Sequence, residues 1–128
     1  MGRSFEVEVI RRDFEGKITD WLTHDEFRCK CAYRDCTYTL VNYRVLTAFK
    51  NVRKHWGHPI LVTSGFRCQK HNADSSGVKD SWHKKGSAID LRPTSGRLED
   101  LYFMANKFFD LVIYYERDNF IHCQMEDK

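Results

Sequence analysis

A chain of 128 residues is long enough to bury one core, and 41% hydrophobic with 14% aromatic residues marks it as globular rather than disordered. The formal charge of +3 comes without a basic run interleaved with aromatics, which argues against a nucleic-acid partner. No stretch approaches the ~18 apolar residues that a membrane span needs.

No internal repeat, low-complexity tract or linker breaks the chain, so residues 1–128 read as one domain, with a core over 40–125 and an N-terminal extension over 1–39. Phe, Val and Val alternate with charge over residues 5–10, as in a short edge strand. Residues 16–39 lack clear periodicity and read as loop with short pieces of structure. This stretch contains Cys29, Cys31 and Cys36, three thiols that are one ligand short of a structural zinc site. His24 or Cys68 could complete it, although neither has diagnostic spacing. Free, partly buried thiols are the plainer reading, and a second zinc is the alternative.

From Leu40 to Trp56 the pattern turns helical, with Val45, Phe49, Val52 and Trp56 on one stripe and Gly57 and Pro59 as the stop. Ile60-Leu61-Val62-Thr63 reads as a buried strand ended by Ser64-Gly65. Residues 66–86 are polar and glycine-punctuated, hence mainly loop, and Ala88 to Leu91 read as another strand. Ser95 has the chemistry of an N-cap for a second amphipathic helix through Leu98, Leu101, Tyr102, Ala105 and Phe108. LVIYYE and FIHCQM, separated by a polar turn, read as a β-hairpin. Strands and helices do not alternate regularly, so the expected class is α+β: a largely antiparallel sheet flanked by two main helices.

Within this frame one segment stands out, Ser81-Trp82-His83-Lys84-Lys85-Gly86-Ser87-Ala88-Ile89-Asp90. It puts a histidine on a loop and an aspartate in the strand that follows. Alternation sends Ile89 and Leu91 to one face and Asp90 to the other, where an unpaired carboxylate would be costly. In FIHCQM, Ile121, Cys123 and Met125 form the apolar face and leave His122 opposite. In LVIYYE, Leu111, Ile113 and Tyr115 read as core. A three-residue turn at 117–119 would pair Glu116 with Phe120 and bring Glu116 and Tyr114 to the face of His122. A two-residue turn would put Glu116 and His122 on opposite faces, and the odd loop is the preferred reading. Two histidines and a carboxylate with one position left for water form a ligand set of catalytic zinc, and a nearby glutamate suits proton transfer. Arg67 can stabilise an oxyanion or anchor a substrate carboxylate. His24, His55 and His58 read as surface or satisfied core residues, and His71 as ordering its loop through a hydrogen bond.

Ser64-Gly65-Phe66-Arg67, then Ser-x-His-x-x-Gly-x-Ala-x-Asp over 81–90, then a late strand carrying His122, resemble the zinc D-alanyl-D-alanine carboxypeptidase family, which includes vancomycin-resistance dipeptidases and phage endolysins. The resemblance covers about residues 40–125. It implies one catalytic zinc on His83, Asp90 and His122, with Arg67 as transition-state or substrate-binding arginine and Ser81 as a contact either to the substrate or to the groups that support the ligands. The implied activity is hydrolysis of an amide bond involving a D-amino acid in peptidoglycan peptides.

In the dipeptidase branch the catalytic glutamate stands three residues before the last histidine, and here that position is Asn119. Tyr114-Tyr115-Glu116, six residues before His122, instead resembles the hedgehog signalling domain, which shares the fold and zinc site but is known for binding. The base is therefore assigned to Glu116, with an inactive zinc-binding module as the rival reading. The charged N-terminus has no apolar signal region, so synthesis in the cytoplasm is expected, with wall access after phage or prophage lysis or as part of a virion. A monomer acting on peptidoglycan peptide, with no nucleic-acid or membrane partner, completes the expectation.

Overall fold

The computed structural model describes residues 7–74 and 81–126. Strand β1 (Val7–Arg11) is followed by the short pair β2 (Lys17–Thr19) and β3 (Leu22–Thr23), the single helical turn α1 (His24–Phe27) and β4 (Tyr38–Asn42). Helix α2 (Tyr43–Trp56), β5 (Ile60–Ser64), α3 (Gln69–Asp74) and a 3-10 turn (Trp82–Lys85) come next. The chain continues with β6 (Ala88–Pro93), α4 (Leu98–Ala105), β7 (Leu111–Tyr115) and β8 (Phe120–Gln124). Every strand pair among the described residues is antiparallel, and the fold is α+β. The main sheet has the order β5-β6-β8-β7, while β1-β4 and β2-β3 form two smaller ribbons.

One face of the main sheet is apolar because alternation makes it so. Ile89 and Leu91 of β6, Ile121 and Cys123 of β8 and Val112 of β7 join Leu98, Leu101 and Ala105 of α4 and Val45, Phe49 and Val52 of α2 in one buried cluster. Each fully buried aliphatic or aromatic side chain there contributes ~1.5–3 kcal/mol. Helix α2 presents the predicted stripe and ends as predicted, with Gly57 at φ 80° donating its N–H to the Arg53 carbonyl. It starts later than expected. Leu40 and Val41 pair with Val9 and Glu8 of β1, and the Asn42 side chain caps the helix by accepting from the Arg44 N–H.

Other expectations are corrected. Strand β5 is an edge strand of the main sheet, with Leu61 49% exposed, and the most covered strand is β6, buried from Ala88 to Leu91. Ser95 does not cap α4: Gly96 turns the chain at φ 89°, and Arg97 becomes the N-cap residue without a side-chain cap bond. The 66–86 segment contains α3 and the 3-10 turn, and residues 75–80 lie outside the described residues. In the loop-rich 16–39 region, α1 is held by a capping box in which Thr23 and Glu26 satisfy each other's backbone N–H groups.

Gly86 closes the 3-10 turn at φ 71°, and its carbonyl accepts from the Asn42 N–H at 3.0 Å. A Cβ there would sit 2.1 Å from the Leu40 carbonyl oxygen, whereas at Gly57 nothing lies within 4 Å of the added atom. Gly57→Ala is expected to cost the ~1–2 kcal/mol of a left-handed alanine. Gly86→Ala should cost ~3 kcal/mol or more, because backbone must move as well. Urea unfolding of the two variants measures the difference.

Candidate metal centre

The register of the main sheet sets up the site. Ser64 pairs with Asp90, Asp90 with His122, and His122 with Ile113, which makes one row across the four strands. Directly opposed residues of an antiparallel pair share a face, so this row lies on the side away from the α2–α4 core. The 3-10 turn then brings His83 over the row. Its position is fixed at both ends: Ser81 Oγ accepts from the His83 N–H at 3.2 Å, and Gly86 donates its N–H back to the His83 carbonyl.

Asp90 Oδ1 is the meeting point, 3.1 Å from His83 Nε2 and 2.9 Å from His122 Nδ1. The two imidazoles meet edge to face with centroids 5.1 Å apart. Their other nitrogens are also engaged. His83 Nδ1 donates to the Gly65 carbonyl at 2.7 Å, and His122 Nε2 donates to Gln124 Oε1 at 2.7 Å. Gln124 is held in turn, donating through Nε2 to Glu126 Oε2 at 2.8 Å.

Burial of Asp90, which is 4% exposed, opposes its ionisation, but hydrogen bonds from His122 and His83 and their charge outweigh it and keep the carboxyl below its usual range. Burial likewise disfavours the His122 imidazolium, and Asp90 reverses that, raising its pKa.

The donor set fits a divalent cation. His83, Asp90 and His122 each offer one donor atom, and those atoms lie within 4.8 Å of one another. His83 Nε2 and His122 Nδ1 are the nitrogens aimed inward, because the opposite nitrogen of each ring is fixed by Gly65 and Gln124. Such outer partners are what orient histidine ligands of zinc. Two imidazoles and a carboxylate leave a coordination position for water or substrate.

Arg67 belongs to the same centre. Its Nη2 lies 3.5 Å from Asp90 Oδ2, Nε donates to Ser64 Oγ at 3.0 Å, and Nη1 donates to Asn72 Oδ1 at 3.3 Å. Its backbone N–H donates to the His83 carbonyl at 3.1 Å, so the arginine loop and the histidine turn are stitched together. Asn72 and Gln124 were not singled out from the sequence, and Ser64 was read as part of a motif without a role of its own. Gln124 had a signal: it lies two residues beyond His122 in the same strand, and hence on the same face.

Ser81 is buried and its hydroxyl caps the 3-10 turn, so it acts on His83. Tyr114 pairs with Ile121 and its ring packs 5.5 Å from Tyr102 of α4, which puts it on the helix side of the sheet. The expected facing of β7 is inverted: Val112 is buried, and Leu111, Ile113 and Tyr115 share the face of His122. The turn is also longer than expected. Tyr115 pairs with Phe120 and stacks on it at 4.7 Å, leaving Glu116, Arg117, Asp118 and Asn119 as a four-residue connection. Asn119 takes a left-handed φ of 56°, and Arg92 donates to the carbonyls of Asp118 (3.1 Å) and Asn119 (2.8 Å), which holds the turn. Glu116 is therefore exposed at the end of the hairpin and off the ladder, and strand parity does not put it on the face of His122.

A family model described as Peptidase M15 matches residues 20–124, which takes in every residue of this centre. Comparison with curated proteins gives no match. The chain belongs to the peptidase M15 family of zinc-dependent metallopeptidases, the family to which its 81–90 motif and late histidine point.

Proposed function

We propose that the chain is a zinc peptidase that cleaves an amide bond in bacterial peptidoglycan peptides, as a D-Ala-D-Ala carboxypeptidase or an endolysin-type endopeptidase. The observation that carries the reading is the convergence of His83 Nε2, Asp90 Oδ1 and His122 Nδ1 at one point beside Arg67. A zinc ion held by His83, Asp90 and His122 would supply Lewis acidity for the scissile carbonyl and a lowered pKa for its water.

The remaining work falls to side chains. Arg67 holds Asp90 Oδ2 and keeps the carboxylate in register. The N–H groups it has left beyond Asp90, Ser64 and Asn72 would serve the developing oxyanion or a terminal carboxylate of the substrate. Ile113, Tyr115 and Phe120 share the face of His122 and give the substrate an apolar wall. Glu116 is the proposed base, taking the proton of the attacking water at its carboxylate and returning it to the leaving amine. Its support is the Tyr-Tyr-Glu resemblance and its place on the β7–β8 turn, within the hairpin that carries His122. Ser81 acts by fixing His83, and Tyr114 by packing the hairpin onto α4. The protein is proposed to reach the wall on phage or prophage lysis, or in a virion.

The hedgehog-like alternative, a zinc-binding module that recognises a wall peptide or protein without cleaving it, is favoured by one feature. Glu116 lies outside the strand ladder, where the stacked Tyr115 and Phe120 take the last paired position.

Mass spectrometry of peptidoglycan fragments incubated with the zinc-loaded chain separates the two. Hydrolysis with release of new amines is expected. Glu116→Gln should lower kcat by ~10²–10⁴-fold with zinc content unchanged, while Asp118→Asn in the same turn should keep activity. Absence of turnover across several wall chemistries with zinc bound would leave the binding module standing. Gln124→Leu removes the acceptor of His122 Nε2–H and is expected to weaken zinc affinity by ~10–100-fold, read by competition with a chromogenic chelator.

A further inference from the structure

Four cysteines from two distant parts of the chain converge. Cys29, Cys31 and Cys36 lie between α1 and β4, and Cys68 lies between β5 and α3. Their sulfurs all lie within 4.8 Å of one another, and none is in a disulfide. The Cys31 and Cys68 sulfurs are 3.7 Å apart. A disulfide needs about 2.05 Å. Zinc–sulfur bonds of about 2.3 Å give a tetrathiolate tetrahedron an edge of about 3.8 Å, which matches the observed separation.

The surroundings donate to the sulfurs. The Cys68 N–H reaches Cys29 Sγ at 3.3 Å, the His71 N–H reaches Cys68 Sγ at 3.4 Å, and Arg12 Nη1 reaches Cys31 Sγ at 3.5 Å. His71 Nδ1 lies 3.2 Å from Cys29 Sγ. Several donors and a guanidinium aimed at weakly accepting sulfur suit thiolates, and clustered thiolates require a cation. Arg12 also shapes the loop by donating to the carbonyls of Cys36 (2.9 Å), Cys29 (3.2 Å) and Cys31. His24 is excluded as a ligand: its nitrogens are 2.8 Å from the Phe14 carbonyl and 2.7 Å from Thr39 Oγ1.

We propose that Cys29, Cys31, Cys36 and Cys68 hold a structural zinc ion distinct from the His83–Asp90–His122 centre. Four thiolates fill a tetrahedron and leave no open position, so the ion binds no substrate. It clips the α1–β4 segment to the residue that follows Arg67. The pairing of the Phe66 N–H with the Phe27 carbonyl at 2.7 Å joins the same two segments.

Metal analysis of the full chain, purified under reducing conditions with zinc supplied, tests this without reference to hydrolysis. Two zinc ions per wild-type chain are expected, and one should remain in the His83→Ala, His122→Ala variant. Titration of the metal-stripped wild-type chain with cobalt should give, for one equivalent, the intense thiolate-to-cobalt charge-transfer absorption of a four-sulfur site. Cys36→Ser, Cys68→Ser should lose that absorption and unfold at a lower temperature. Wild-type protein with at most one zinc per chain and no thiolate-to-cobalt band overturns the proposal, as does iron in place of zinc at the cysteines. The wild-type measurements decide the matter even where a variant fails to fold.

Discussion

The constraint on which the rest depends is the carboxylate of Asp90 in the most covered strand of the sheet. A buried, unpartnered charge costs several kcal/mol or forces protonation. Here Oδ1 receives two imidazoles and Oδ2 faces a guanidinium, so the charge is answered from three directions. Each partner arrives from a different element: His83 from the 3-10 turn, His122 from the neighbouring strand and Arg67 from the loop after β5. The carboxylate thereby fixes how these pieces meet on one side of the sheet, while the apolar residues alternating with it fix the helices on the other.

That alternation explains why much was legible in the sequence. Ile89 and Leu91 against Asp90, and Ile121 and Cys123 against His122, are period-two patterns, and the pairing of Asp90 with His122 realises both at once. The α2 stripe and its glycine stop were readable for the same local reason. What was misread depended on information spread over several elements. The Leu111, Ile113 and Tyr115 triplet is as apolar as a core face, yet Val112 is the buried residue, because the four-residue turn shifts the register and Tyr114 finds Tyr102 on α4. A turn of that length is set partly by Arg92, which is remote in sequence and had no visible link to it. Ser95 had the side chain of a cap but not the backbone, since Gly96 turned the chain first. The assembly of Cys68 with the three clustered cysteines was open for a related reason: spacing within one loop cannot reveal a ligand contributed by another.

The site also shows how polar satisfaction is layered. Asp90, His83 and His122 form the inner set, while Gly65, Gln124, Ser64 and Asn72 hold that set from behind. None of these outer groups is an ionisable side chain. They fix ring orientation and guanidinium position through uncharged acceptors, and Gln124 is itself held by Glu126 Oε2. Ser81 fits this pattern, because its hydroxyl is consumed in capping the turn that carries His83.

The two clusters of candidate metal ligands then meet in one short stretch of backbone. Arg67 turns its guanidinium to Asp90, and the next residue, Cys68, turns its thiol to the cysteine cluster. A single chain passage thereby serves both clusters. The segment has little regular structure to hold it between β5 and α3, and loops of this kind are drawn from the less stable parts of a fold. Anchoring it at Phe66 by a backbone bond, at Arg67 by the His83 carbonyl and at Cys68 by the sulfur cluster removes that freedom where a positioned arginine is needed. Asp90 and its partners are thus held from the cysteine side as well as from the sheet, which gives the N-terminal third of the chain a part in the site although it contributes none of the His83, Asp90 and His122 donors.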